Sequence, residues 1–322
     1  MTISTHKPIS GRAAIAPPTM QKARVLSFFS SGQPPCVSCE AMTISKALIT
    51  AAGRNQRQLP LQTIMDREGY PRSVLTQLIE EAVSAGIESI GIVVSPGDAE
   101  LYHRASGDHA KRLTFVEQDH PAGYGDAIFR GREFVGDDHF LLMVSDHLYI
   151  SRDPAKSCAR QLVETAVAER CVVSAVQSTH ESHLSAFGAV GGRLFDGRPG
   201  IYLVESVIEK PTPTQAEQQL IVPGLRMAHY LCFFGMHVLS PMVTGMLGGM
   251  LESAPDPRSV SLASALGALE GKERHLAVEL QGRRYDLDER YGLLTAQLAL
   301  ALDGEQRAEI LARIVSLLAD IR

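Results

Sequence analysis

The sequence has few of the features that mark the most recognisable protein classes. Five cysteines in 322 residues, an odd number, do not make a disulfide framework, and they read as reduced thiols of a cytoplasmic protein. Cys36 and Cys39 form a lone C-x-x-C with no second ligand pair at zinc spacing, so no structural metal is expected there. No apolar run approaches the roughly 20 residues that a membrane span requires. A formal net charge of -5, from 31 basic and 36 acidic residues, argues against a nucleic-acid partner, which needs a clustered basic face. Neither G-x-x-x-x-G-K-[ST] nor G-x-G-x-x-G occurs, which excludes a Walker loop and a dinucleotide fingerprint.

What is present is a chain 45% hydrophobic and 21% charged, enough for one large core or two moderate ones. Residues 1–44 carry Lys7, Arg12, Lys22, Arg24 and several prolines without a period of 2 or 3.6. They read as a disordered or loosely attached extension. The apolar run VLSFF at Val25 to Phe29 is too short for a signal-peptide core. MTIS occurs at Met1 and again at Met42, just ahead of the first strand, which makes Met42 an alternative start of translation.

From Lys46 the pattern alternates. KALITAA reads as a strand, and SVLTQLIEEAVSAG as a helix with Val74, Leu78, Ile79 and Val83 at helical spacing and Gly86 as its cap. IESIGIVVS (strand), a helix around Ala99 to Gly107, LTFVEQ (strand), a helix from about Gly125 and FLLMVSD (strand) follow. This predicts an α/β fold with a mostly parallel central sheet flanked by helices. Ligands of such sheets sit at the carboxyl ends of the strands, which puts AAGRNQR, SPGD, EQDHPAGYG and SDH on one rim.

Three of these segments carry chemistry. Ala51, Ala52 and Gly53 are small enough to let backbone N–H groups approach a phosphate, and Arg57 adds a charge-assisted contact, with Arg54 facing solvent. Gly123 and Gly125 leave room for a base or ribose to lie against the backbone, while Gln118 offers both a donor and an acceptor to an imide edge. Asp146 ends an apolar strand, where one carboxylate can hold Mg²⁺ against substrate phosphates. His147 beside it is expected to be a polar loop residue, because Mg²⁺ prefers oxygen. His103, His120 and His147 are assigned no catalytic role.

In order and spacing, these segments resemble the sugar-1-phosphate nucleotidyltransferases, most closely the bacterial-type UTP:glucose-1-phosphate uridylyltransferases, from about Lys46 to Leu300. AAGRNQRQLP is similar to the family's A-G-x-G-T-R-x-L-P loop, VEQDHPAGYGDAI to its uracil-binding segment, and MVSDH to the strand end with the metal aspartate. AFGAV at Ala186 to Val190 is similar to the family's Y-G-V, VIEKPTP at Val207 to Pro213 to V-x-E-K-P, FGMHVLS to G-R-Y-V-L-S, and YDLDERYGLLTA to the D-x-G-x-x-x-G-Y tail.

The resemblance implies a Rossmann-like (GT-A-like) nucleotidyltransferase domain at 45–322. Its parts would be a nucleotide-binding half at 45–150, a smaller sugar-binding portion at 151–285 and C-terminal helices at 286–322. It also implies the site: Ala52, Gly53 and Arg57 at the UTP phosphates, Gln118 and Gly123 at the uracil, Asp146 and Asp286 at Mg²⁺. Gly188 and Glu209 would meet the sugar hydroxyls, and Lys210 the sugar phosphate. Glu209 supplies acceptors for vicinal hydroxyls and Lys210 a compact cation. The partners would be UTP and a sugar-1-phosphate, glucose-1-phosphate first, with no nucleic acid and no membrane; a homo-oligomer fits the family.

The departures bear on turnover. The family's loop continues to P-K-E, but QLPLQTIMDREGYPRSVL has no lysine, so Arg67 or Arg72 is the candidate replacement. Asn55 stands for the loop's second glycine, Asp286-Leu287-Asp288 for D-x-G, Met236 for an arginine and His237 for a tyrosine. A catalytically weak nucleotide-sugar-binding or regulatory relative is the alternative of another class, and an unrelated α/β interaction protein is a third.

Overall fold

The computed structural model describes residues 42–54 and 57–320; the expected N-terminal extension, with its C-x-x-C pair and VLSFF run, lies outside them, apart from residues 42–44. Strand β1 (Lys46–Thr50) leads through a hairpin, β2 (Thr63–Met65) and β3 (Pro71–Ser73), into helix Val74–Ser84 and β4 (Ser89–Val94). Helix Ala99–Ala105 precedes β5 (Leu113–Glu117), and helix Tyr124–Arg130 precedes β6 (Phe140–Val144). Then come β7 (His147–Ser151), helix Cys158–Glu169, β8 (Val172–His180), β9 (Ala189–Leu194), β10 (Ile201–Ile208) and β11 (His229–Leu239). Helices Pro241–Ser253 and Leu262–Gly267, β12 (His275–Glu279), β13 (Gly282–Asp286) and helices Gly292–Asp303 and Arg307–Asp320 complete the order.

Nine strands form one sheet in the order β5-β4-β1-β6-β11-β8-β12-β10-β9. The pairs β5/β4, β4/β1, β1/β6 and β8/β12 are parallel, while β11 and β10 run against their neighbours. The first half is therefore the parallel sheet that the alternating pattern predicts. Both halves share one sheet. Period-2 alternation sends Ala47 and Ile49 of β1 to one face, with helices Val74–Ser84 and Cys158–Glu169 over it. Leu48 goes to the other, beneath Ala127, Ile128, Val243 and Leu247. Each such Leu, Ile or Val side chain contributes about 1.5–3 kcal/mol by leaving water.

The helix boundaries follow from side chains. Ser73 accepts from Thr76 N and caps helix Val74–Ser84, and Gly86 follows that helix at φ +91°, a left-handed conformation that glycine adopts without a Cβ penalty. Glu209 and Lys210 follow β10 into helix Pro213–Gln219, whose Thr212 and Gln215 form a capping box. Leu184, Ala189, Ala216, Leu220, Tyr230 and Cys232 make a separate small core at that end. Among the described residues no helix is long and apolar enough to cross a membrane.

Candidate active site

Because β1, β4, β5 and β6 are parallel, the segments that follow them open on one rim. After β1 the chain turns tightly: Arg57 N donates to Gly53 O at 2.9 Å, and Ala52 O accepts from Ser95 Oγ at 3.2 Å. Tyr102, fully buried, donates to Arg57 O at 2.6 Å and pins the turn to helix Ala99–Ala105. Arg54 is exposed, as expected. Arg57 lies 3.4 Å from Asp98 Oδ2, so its charge already has a carboxylate opposite it.

At the next segment Gln118 is buried, and its Nε2 donates to Gly123 O at 3.1 Å and Asp126 Oδ2 at 2.7 Å. The donor half of the expected imide contact is therefore engaged inside the protein, leaving Oε1. The two glycines have a packing reason. Gly123 stands at φ +101° with a would-be Cβ 3.2 Å from Arg258 Cα, and a Cβ on Gly125 would meet Val260 O at 2.5 Å. The backbone of residues 258–260, rather than a base, fills the space that their missing side chains leave.

Asp146 and Asp286 are carried to one end of a two-stranded ribbon. Asp286 pairs with His147 in the β7/β13 ladder, and Leu287 N donates to Asp146 O at 2.8 Å. His147 corrects the sequence reading: it is a buried strand residue whose Nδ1 is 2.7 Å from Asp146 Oδ1. Burial pushes the Asp146 carboxyl up, but the His147 hydrogen bond and charge, with Lys210, outweigh burial and hold it below the usual carboxylate range. Asp286 Oδ1 accepts from Asp288 N at 2.9 Å. Among the described residues no group of three or more His, Cys, Asp or Glu could hold a metal. Two carboxylates without a third ligand suit Mg²⁺, which takes its remaining oxygens from phosphate and water, and do not suit a closed structural site.

At the sugar end, Gly188 is buried, and a Cβ there would sit 2.7 Å from the Phe233 ring and 3.1 Å from Glu209 Oε2. Gly188 and Glu209 are thus neighbours. Lys210 adopts φ +46°, uncommon for a residue with a side chain and held here directly before Pro211. Desolvation raises the Glu209 pKa, and the Lys210 charge works against that rise. Sequence reading missed Tyr124, the residue between the two glycines. Its buried hydroxyl has no hydrogen-bond partner of good geometry, though Thr50 is close by. Burial raises its pKa, and the Asp146 and Glu209 charges raise it further. No spacing in the sequence announces that role.

The expected replacements for the loop lysine are both occupied. Arg72 pairs with Asp66 at 2.8 Å and Glu80 at 3.2 Å, and Arg67 with Asp303 at 3.0 Å. On β11, Met236 and His237 lie in the core, with His237 Nδ1 2.8 Å from Ser174 Oγ, itself 2.8 Å from His275 Nε2. Asn55 lies outside the described residues.

A parallel half-sheet with small-residue turns, a strand-end aspartate and a glutamate–lysine pair near its rim defines an α/β protein with a polar site at the strand ends. The nucleotidyl transferase family profile matches residues 46–253, well over half of the 322, and the chain belongs to that family. It is 27% identical over 300 residues to UTP--glucose-1-phosphate uridylyltransferase 1 of Streptococcus pyogenes serotype M1, covering 84% of this chain and 93% of that one. It is 27% identical over 289 residues to UTP--glucose-1-phosphate uridylyltransferase of Streptococcus pneumoniae serotype 4, covering 82% and 92%. Among solved structures, a UDP-glucose pyrophosphorylase complexed with UDP-glucose superposes with a TM-score of 0.65 at 24% identity, covering 80% of this chain and 98% of that one. The UTP-bound UGPase from Acinetobacter baumannii superposes with a TM-score of 0.65 at 19% identity, covering 87% and 100%. These superpositions show the shared fold.

Proposed function

We propose that the chain transfers a uridylyl group from UTP to a hexose-1-phosphate, with glucose-1-phosphate as the first candidate, and releases UDP-sugar and pyrophosphate. The observation that carries this reading is geometric: Leu287 N donates to Asp146 O at 2.8 Å, which sets Asp286 beside Asp146, and a Cβ on Gly188 would sit 3.1 Å from Glu209 Oε2, while the Lys210 charge bears on both Asp146 and Glu209. A metal-type carboxylate, a hydroxyl acceptor and a cation are thereby gathered into one polar locus, as a sugar phosphate meeting a nucleotide requires. The names of the relatives in the streptococci agree with it.

In this reading a phosphate oxygen of the sugar-1-phosphate attacks the α-phosphorus of UTP, the bond from that phosphorus to the bridging oxygen breaks, and pyrophosphate leaves. The attacking phosphate is ionised at neutral pH, so no side chain serves as general base and the rate comes from alignment and charge neutralisation. Lys210 holds the sugar phosphate and Glu209 accepts from ring hydroxyls, beside a Gly188 that adds no side chain. Gln118 Oε1, the half of the amide left over, accepts from the N3–H of uracil; the N3 of cytosine, a bare acceptor, would face it unpaired. Gly53, Ala52 and Arg57 meet the triphosphate. Asp146 and Asp286 would hold Mg²⁺, which would supply further neutralisation of the phosphate charge.

One set of observations favours a second reading, a nucleotide-sugar-binding relative with weak turnover: Arg57, Arg67 and Arg72 are all paired with carboxylates, and the loop has no lysine. A panel of nucleoside triphosphates against sugar-1-phosphates with Mg²⁺, read as pyrophosphate release, separates the two. Release with UTP and a hexose-1-phosphate together supports uridylyl transfer. No release with any pair, while UTP or UDP-glucose still raises the melting temperature, supports the binding relative. Neither release nor a thermal shift contradicts both.

A further inference from the structure

Arg284 is the only lysine or arginine in the buried set among the described residues, with 8% exposure. A buried guanidinium loses hydration that only an anion or well-placed acceptors replace. The buried aspartates follow that rule: Asp66 has Arg72, Asp126 has Arg130 and Asp98 has Arg57. Arg284 does not. Its Nη1 is buried without a hydrogen-bond partner, and among the described residues no carboxylate forms an ion pair with it. The Phe187 ring covers one face of the guanidinium, with the centroid 3.6 Å from Cζ. That contact uses the π-face of the cation and leaves the in-plane N–H donors unused.

The register explains what lies beside it. Arg284 pairs with Tyr149 and Asp286 with His147 across β13 and β7, so Arg284 and Asp286, two residues apart, share a face of the ribbon. A cavity of about 210 Å³ opens there, lined by Gln177, Thr179, Phe187 and Arg284 and by the carboxylates Asp286 and Glu289, among others, so Arg284 is the cation that an entering anion would meet. Phe187 packs edge-on against His147 with centroids 6.3 Å apart and immediately precedes Gly188, which joins the cavity to the sugar end.

We propose that this cavity is an oxyanion subsite in which the planar fork of Arg284 pairs with an anionic group of the incoming sugar phosphate, either its phosphoryl group or a carboxylate carried on the ring. The geometry of the fork matches either oxyanion bidentately. The proposal rests on the nucleotidyl-transfer reading and adds to it a residue that the family resemblance does not assign.

The test uses full-length wild type with the Arg284→Met and Arg284→Lys variants. Calorimetric affinities for glucose-1-phosphate and glucuronic acid-1-phosphate are measured with the melting temperature of each ligand-free protein. The expected result is a loss of affinity of about tenfold or more in Arg284→Met, partly restored in Arg284→Lys, with a ligand-free melting temperature equal to or above wild type. Equal weakening of both sugars assigns the phosphoryl group; weakening of the uronic acid alone assigns a carboxylate. Unchanged affinities, or a lowered melting temperature in ligand-free Arg284→Met, overturn the proposal, the latter by making the arginine structural. Should wild type bind neither sugar phosphate and release no pyrophosphate from UTP with either, the nucleotidyl-transfer reading fails, and inorganic pyrophosphate decides the subsite: binding to wild type but not to Arg284→Met supports it, and equal or no binding overturns it.

Discussion

The two ends of the rim treat their polar groups differently. At the nucleotide end Arg57 faces Asp98, Gln118 donates to Gly123 and Asp126, and Tyr102 fixes Arg57 O. At the sugar end Arg284 Nη1 is buried without a hydrogen-bond partner and Lys210 holds a positive φ, while Tyr124 Oη, between the two ends, and Asp98 Oδ2, at the nucleotide end, also lack a hydrogen bond of good geometry. Unpartnered buried groups each cost on the order of 1–3 kcal/mol. A chain tolerates such a cost where a ligand offsets it. On the proposed reading, the nucleotide end is held mostly by the protein's own contacts, while substrate would complete the sugar end.

Single substitutions separate the two ends. The largest effect is expected between the two ends, where Asp146→Asn should keep the fold by circular dichroism yet lose about a hundredfold or more in pyrophosphate release, because it removes charge opposite the reacting phosphates. Near-normal turnover at saturating Mg²⁺ would remove Asp146 from the site. Next comes Lys210→Ala, expected to raise the KM for sugar-1-phosphate about ten- to thirtyfold while the KM for UTP stays unchanged. An equal rise in both would erase the distinction between the ends.

His147→Ala tests positioning through pH. In wild type, burial raises the Asp146 pKa, and the His147 hydrogen bond and charge, with a backbone hydrogen bond and the Lys210 charge, together more than offset it, so the ionised carboxylate persists to low pH. Its contribution to stability is fully present above the unfolded value of about 3.8 and is lost as pH falls through the lowered folded pKa. With the imidazole gone, burial is less opposed, and the acid limb of kcat/KM should move to higher pH, with roughly tenfold lower activity on that limb. An acid limb unmoved from wild type would make His147 a packing residue. The smallest effects belong to the nucleotide turn. Arg57→Ala should weaken UTP use about fivefold, since its partly exposed charge is shared with Asp98, and Arg54→Ala less than twofold.

Much of the nucleotide half is legible in the sequence because its signals are local. FLLMV, the alternation of strand and helix, and Asp146 at a strand end are each contained in one segment. Glu209-Lys210-Pro211 and Gly188 are likewise visible as motifs, and Gly188 and Glu209 do meet. What escaped depends on partners far along the chain. The packing role of Gly123 and Gly125 needs residues 258–260. The isolation of Arg284 needs the pairing of β13 with β7 and Phe187 laid over it. His237 looks like a substitution in a family motif until Ser174 is seen to link it to His275. The His147–Asp146 bond joins neighbours, yet it was missed because a histidine after a strand reads as loop until β7 is known to begin at that residue.

The central claim is a direct displacement at one site, in which UTP and the sugar phosphate are bound together. Initial rates of pyrophosphate release, measured with wild type over a grid of UTP and glucose-1-phosphate concentrations in the presence of Mg²⁺, test it most directly. The account expects double-reciprocal lines that intersect, with no pyrophosphate formed when the sugar phosphate is omitted. Parallel lines, together with a burst of pyrophosphate from UTP alone, would report a covalent nucleotidyl-enzyme and contradict it.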